Sequence, residues 1–144
     1  MKKSKRLAAL IAAVLMTVTM FSSAVPAYAA APLVKIGTGS YGSNIITGYR
    51  TAVSKTAMSA RTKSNNTATR IATTIIARNV NSKGLPVPVK GTPDKGADKA
   101  KDSGVAQVTS GSGNHFETVR ILCTAYYDNN LDHLAAVSPF IYNF

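Results

Sequence analysis

Phe116-Glu117-Thr118-Val119-Arg120-Ile121-Leu122-Cys123-Thr124-Ala125-Tyr126-Tyr127 is the stretch that decides the fold class. It is rich in β-branched and aromatic residues, which lose rotamer freedom in a helix and suit a pleated surface. No Gly or Pro interrupts it, and Asp128-Asn129-Asn130 ends it. At a period of two, Val119, Ile121, Cys123, Ala125 and Tyr127 share one face. Thr118, Arg120, Leu122, Thr124 and Tyr126 share the other. A strand with one apolar and one mixed face packs against a core on one side and meets water on the other.

The pattern recurs upstream. Within residues 67–80, Thr69, Ile71, Thr73, Ile75 and Ala77 alternate with Arg70, Ala72, Thr74, Ile76 and Arg78. From Ile45 to about Lys63 the chain is rich in Thr, Ser, Val and Ala, and reads as one long strand or as two strands divided by a bulge near Ser54. Ser64-Asn65-Asn66-Thr67 breaks the run. Asn tolerates positive φ, so the sequence predicts a tight hairpin turn at Asn65-Asn66. That turn would pair Ala60 with Ile71, Met58 with Thr73 and Arg61 with Arg70, and a slip by one residue would mix the faces. Val105–Thr109 and Phe140–Phe144 read as further strands, while Leu131–Val137 suits either a short helix or a strand.

Residues 81–104 differ, with Gly84, Pro86, Pro88, Gly91, Pro93, Gly96 and Gly104 among alternating Lys and Asp. They are expected to form a charged surface loop, with one helical turn starting at Thr92-Pro93-Asp94. Residues 30–44, with Gly37, Gly39 and Gly42, are expected to be a flexible N-terminal segment. The expected fold is therefore mainly β: an antiparallel β-sandwich-like single domain over residues 45–144, with the charged loop at about 81–104. Ile71, Ile75, Val119, Ile121 and Tyr127 are the expected core.

The chain opens with Lys2, Lys3, Lys5 and Arg6, followed by an apolar run from Leu7 to Val18 and then Ala27-Tyr28-Ala29. A basic start, a short apolar segment and an A-x-A ending read as a cleaved secretory signal peptide over residues 1–29, cut near Ala27 or Ala29 and bacterial in style. The apolar run falls short of the roughly 20 residues a membrane-spanning helix needs. The expected product is secreted, extracellular or associated with the cell envelope, with no transmembrane segment in the mature chain.

Seventeen Lys and Arg residues against 6 Asp and Glu give the chain a net charge of +11. Four of those cations lie in the signal, and the remainder stays clearly basic. Such a balance favours anionic partners, here an anionic cell-envelope polymer or a lipid surface. Arg61, Lys63, Arg70 and Arg78 would cluster on the expected hairpin as the anion-contact residues. Arg61 opposite Arg70 costs energy that an anion would relieve. Nucleic acid fits less well, because Tyr126, Tyr127, Tyr142 and Phe144 do not interleave with the cations as a stacking platform would.

Little points to catalysis. His115 and His133 are the two histidines, and no G-x-S-x-G elbow accompanies them. Asp132 beside His133 in sequence does not orient it, since triads form through tertiary contacts. Glu117 has no neighbouring carboxylate in sequence. Asp94, Asp98 and Asp102 recur at intervals of four, but Lys95, Lys99 and Lys101 between them oppose a bound cation. No zinc-ligand spacing is present, and no cofactor is expected. Cys123, the one cysteine, reads as a small buried strand residue. A Cys123-linked dimer is the sharper alternative.

The expectation is a noncatalytic cationic β protein, an envelope-associated or extracellular binding or structural module. The alternative is a secreted bacteriocin-like or membrane-active toxin. The ending Phe140-Ile141-Tyr142-Asn143-Phe144 resembles that of lactococcin-type bacteriocins, over these few residues alone, which is too little to assign the family.

Overall fold

Eight strands make up the computed structural model, which describes residues 32–129 and 132–144. They are β1 (Val34–Tyr41), β2 (Asn44–Val53), β3 (Ala57–Val80), β4 (Lys90–Thr92), β5 (Asp94–Asp102), β6 (Ala106–Thr109), β7 (His115–Tyr126) and β8 (Leu134–Asn143). All pairings are antiparallel. The protein is mainly β, with no helix among the described residues. The expected signal segment, with Ala27 and Ala29, lies outside the described residues.

β3 organises the sheet. Its first half pairs with β2 on one edge and β6 on the other; its second half pairs with β7 and β5. β1 extends the sheet beyond β2, β4 beyond β6 and β8 beyond β7. Hydrogen bonding therefore runs through one continuous eight-stranded sheet.

The turn expected at Asn65-Asn66 is not a hairpin, because β3 continues through both residues for 24 residues in all. A two-residue hairpin turn of the Asn type needs positive φ. Among the described residues, Lys99 is the only non-glycine with positive φ. The two Asn side chains serve the β1–β2 turn instead. Ile45 N–H donates to Asn65 Oδ1 at 2.7 Å, and Asn65 Nδ2 donates to the Ser43 carbonyl at 2.9 Å. Asn66 Nδ2 donates to Asn44 Oδ1 at 2.9 Å. The register of β3 on its edge partner also shifts between Lys63 and Ala68.

β3 nonetheless bends sharply. The hydroxyls of Thr62 and Thr73 lie 2.6 Å apart. In a straight strand, eleven residue steps would separate them by about 36 Å. No ladder joins the two halves of β3; they meet through side chains across the core. The expectation that Ile71, Thr73 and Ile75 point inward holds: they are buried, while Arg70, Ile76 and Arg78 are exposed.

Two other segments depart from expectation. Residues 34–41 form β1 rather than a flexible lead, because pairing with β2 satisfies their backbone. Residues 94–102 form β5, an edge strand on β3, where a loop and a helical turn were expected. Alternating Lys and Asp is the composition of an edge that must resist pairing with other chains. Leu134–Asn143 resolves as strand β8.

Ile71, Ile75, Val119 and Ile121 are buried as expected, joined by Ile46, Met58, Val108 and Phe116, with Tyr127 packed against the cluster. Cys123 is 1% exposed, so a disulfide to a second chain is excluded without opening the core.

Glycine sets how closely β1 and β2 approach β7 and β8. A Cβ on Gly48 would stand 2.8 Å from Cys123 Sγ, and one on Gly37 would stand 2.6 Å from Val137 Cγ1. A Cβ on Gly39 would overlap the Ala136 carbonyl. Gly48→Ala is expected to cost about 1–3 kcal/mol through overpacking. Cys123→Ala, by removing the sulfur, should recover part of that loss, so the double variant is more stable than additivity allows. Urea unfolding of the four proteins in the cycle checks this.

Thr62, Thr73 and Ser103 form a buried hydroxyl cluster at the bend. Thr62 Oγ1 lies 2.6 Å from Thr73 Oγ1 and donates to the Ala72 carbonyl at 3.0 Å. Thr73 lies 2.9 Å from Ser103 Oγ, which donates to the Gly104 carbonyl and accepts from Thr62 N–H. Thr62→Val keeps the shape but strands these partners, with an expected cost of about 1–3 kcal/mol. The same change at exposed Thr38 should stay within about 0.5 kcal/mol, and denaturant midpoints distinguish the two.

Candidate functional site

The four cations singled out by sequence do not converge. Arg61 and Arg70 lie on opposite sides of the bend in β3. Arg61 stands across from Tyr49 on β2, and Arg70 across from Asp98 on β5. The expected repulsion between them is absent because the hairpin that would create it is absent.

Three of the four are held by acids. Arg61 grips Asp102 with both arms of its guanidinium, one of them Nε to Oδ1 at 3.2 Å. Arg70 Nη1 meets Asp98 Oδ1 at 3.0 Å. Arg78 Nε meets Glu117 Oε2 at 2.8 Å. Lys63 is half-buried, with its ammonium 6.0 Å from the Tyr49 ring centroid, at the limit of a cation–π contact. Asp98, Asp102 and Glu117 were read in the sequence as loop or lone acids. Their pairing depends on β5 lying beside β3 and on the register of β7, and no local pattern carries either.

The exposed positive charge sits elsewhere. Lys83 and Lys90 precede the outer strand β5, and Lys95, Lys99 and Lys101 lie on it. All five are exposed, and none forms an ion pair among the described residues. Arg120, exposed on β7, also has none. Lys35 and Lys55 are exposed and outside the ion pairs as well, so three arginines hold Asp98, Asp102 and Glu117 while the exposed lysines stay unpaired.

Two further groups have chemistry of their own. His133 pairs through Nδ1 with Asp128, and its ring stacks on Tyr41 at 4.7 Å. This contact pins the β7–β8 loop to the β1–β2 turn. Burial pushes the Cys123 thiol pKa up, and the contact with the Thr62 hydroxyl opposes the shift only in part. Cys123 therefore stays a thiol, a poor nucleophile. Asp94, Asp98 and Asp102 are drawn into the β5 ladder, and no three His, Cys, Asp or Glu side chains gather as a metal site among the described residues. No helix among them is long and apolar enough to cross a membrane.

The Arg61–Asp102 pair is half-buried, with side chains 27% and 35% exposed, whereas the Arg70–Asp98 pair lies in solvent. Arg61→Gln is expected to lower stability by about 1 kcal/mol, and Arg70→Gln to have an effect near zero. Thermal melts read the difference, and neither change should alter binding to a polyanion at low salt by more than about twofold.

Compared with protein-family models, with curated proteins and with solved structures, the chain matches none of the three.

Proposed function

We propose that this protein is a secreted, noncatalytic, β-sandwich-like module that attaches to anionic surfaces of the cell envelope. The observation that supports this reading is the division of charge. Arg61, Arg70 and Arg78 neutralise Asp102, Asp98 and Glu117 within the sheet. Of the exposed cations without an ion pair among the described residues, five are lysines of the outer segment, and Lys35, Lys55 and Arg120 lie elsewhere. Unpaired surface charge steers association with an oppositely charged surface and is screened by salt. β5 presents its lysines beside a sheet stiffened by two ladders on β3, so the charges are held on one edge of a rigid scaffold.

This reading replaces Arg61 and Arg70 with the β5 lysines as the residues that carry attachment. Binding of the protein to an anionic envelope polymer is expected at low salt and to be lost as ionic strength rises past the physiological range. Lys95→Gln/Lys99→Gln/Lys101→Gln should weaken it on the order of tenfold or more, from about 1 kcal/mol per cation near an anionic surface. Co-sedimentation with purified envelopes across a salt series checks this. Binding that ignores salt, or that survives the triple change, would sink the reading.

A further inference from the structure

The outer face of the β3–β7–β8 layer carries a row of side chains that the fold does not use. Ile76 stands across from Arg120, and Arg120 stands across from Ile141. Ile76 is 52% exposed and Ile141 54%. Together with Arg78 and Thr118 they line a shallow depression of about 510 Å³. Arg78 is held by Glu117, and Arg120, at the centre of the row, has no acid among the described residues.

We propose that this face docks on an anionic phospholipid surface, with Ile76 and Ile141 entering the acyl boundary and Arg120 binding lipid phosphate. The inference rests on the anionic-surface reading above and goes beyond it by naming a second face and a partner for that face. The chemistry of the row selects among occupants. An apolar protein surface would take the two isoleucines but would bury Arg120 without a counter-charge, which is strongly unfavourable. A second copy packed across a twofold axis would bring one Arg120 towards the other. A soluble polyanion would pair Arg120 and leave both isoleucines in water. An anionic lipid surface satisfies both features at different depths: aliphatic side chains partition below the headgroups, and a long guanidinium side chain reaches back to the phosphates. The β5 lysines take no part in this contact, because Lys95 stands across from buried Thr73, on the opposite face of the layer from Ile76.

The chain has no tryptophan, so one introduced on this face reports on it alone. The experiment uses the full chain with Ile141→Trp, and with Ile76→Trp as a second reporter in case the first disturbs packing. Leu85→Trp, at a position 58% exposed on the β3–β4 connection, serves as the control. The probes are vesicles of phosphatidylglycerol and phosphatidylcholine, or of phosphatidylcholine alone. Emission of the Ile141→Trp and Ile76→Trp proteins is expected to shift to the blue, and to be quenched by brominated acyl chains, only with phosphatidylglycerol present. Leu85→Trp should stay unshifted. Adding Arg120→Gln to either reporter should weaken the transition about fivefold, the equivalent of about 1 kcal/mol at an anionic surface. If vesicles sediment the protein while both face reporters stay unshifted, the face is wrong and the anionic-surface reading stands. If the protein binds an anionic polymer but not the vesicles, the lipid assignment is overturned alone. Binding to neither at low salt overturns both.

Discussion

The bend in β3 fixes where the other strands can lie. A strand of 24 residues cannot remain straight in a domain this small. It folds so that Thr62 and Thr73 meet across the core, and Ser103 closes the cluster from the β5–β6 connection. Burying three hydroxyls is favourable only when their protons all find acceptors. Here the chain of donors runs out to the Ala72 and Gly104 carbonyls. The same cluster places Asp102 beside Arg61, because Asp102 immediately precedes Ser103. Bend, polar cluster and ion pair are thus one arrangement.

From that bend follows the close packing of the outer strands. Once the halves of β3 face each other, β1 and β2 must lie over β7 and β8. The glycines at 37, 39 and 48 remove the side chains that would hold these strands apart. Small residues limit the apolar area the core can bury. The polar contacts at the bend, and those of Asn79, whose amide donates to the Pro88 and Ser110 carbonyls at 3.0 Å each, tie down the connections that such a core leaves weakly held.

The fold also sorts the charges. Arginine, with a planar guanidinium suited to fork-like pairing, occupies sheet positions where an acid stands on the adjacent strand. Lysine, a flexible point charge, occupies mainly edge strands and loops, with Lys63 on β3 the half-buried case. Two sheet arginines have no acid partner among the described residues: Arg50, which lies over the Tyr142 ring, and Arg120, which has an isoleucine on each side and is exposed. Both functional readings arise from this sorting, one from the lysines and one from Arg120.

The strand character and inward faces of 67–80 and 116–127, and the core around Ile71, Ile75, Val119 and Ile121, are legible in the residue pattern alone. Period-two alternation is a local property, readable wherever one face of a strand is buried. It also exposed Ile76 and Arg120 as residues on the polar faces of their strands. That Asn65-Asn66 lie within a continuous bent strand and do not turn a hairpin follows from contacts distant in sequence. The two asparagines find their partners in Ser43, Asn44 and Ile45, about twenty residues away, and no local propensity encodes that choice. Which acid meets which arginine was likewise decided by strand neighbours far apart in sequence, as was the role of Gly37, Gly39 and Gly48 as sites of close approach. A glycine that permits contact and a glycine that permits flexibility are the same letter until the opposing strand is in place.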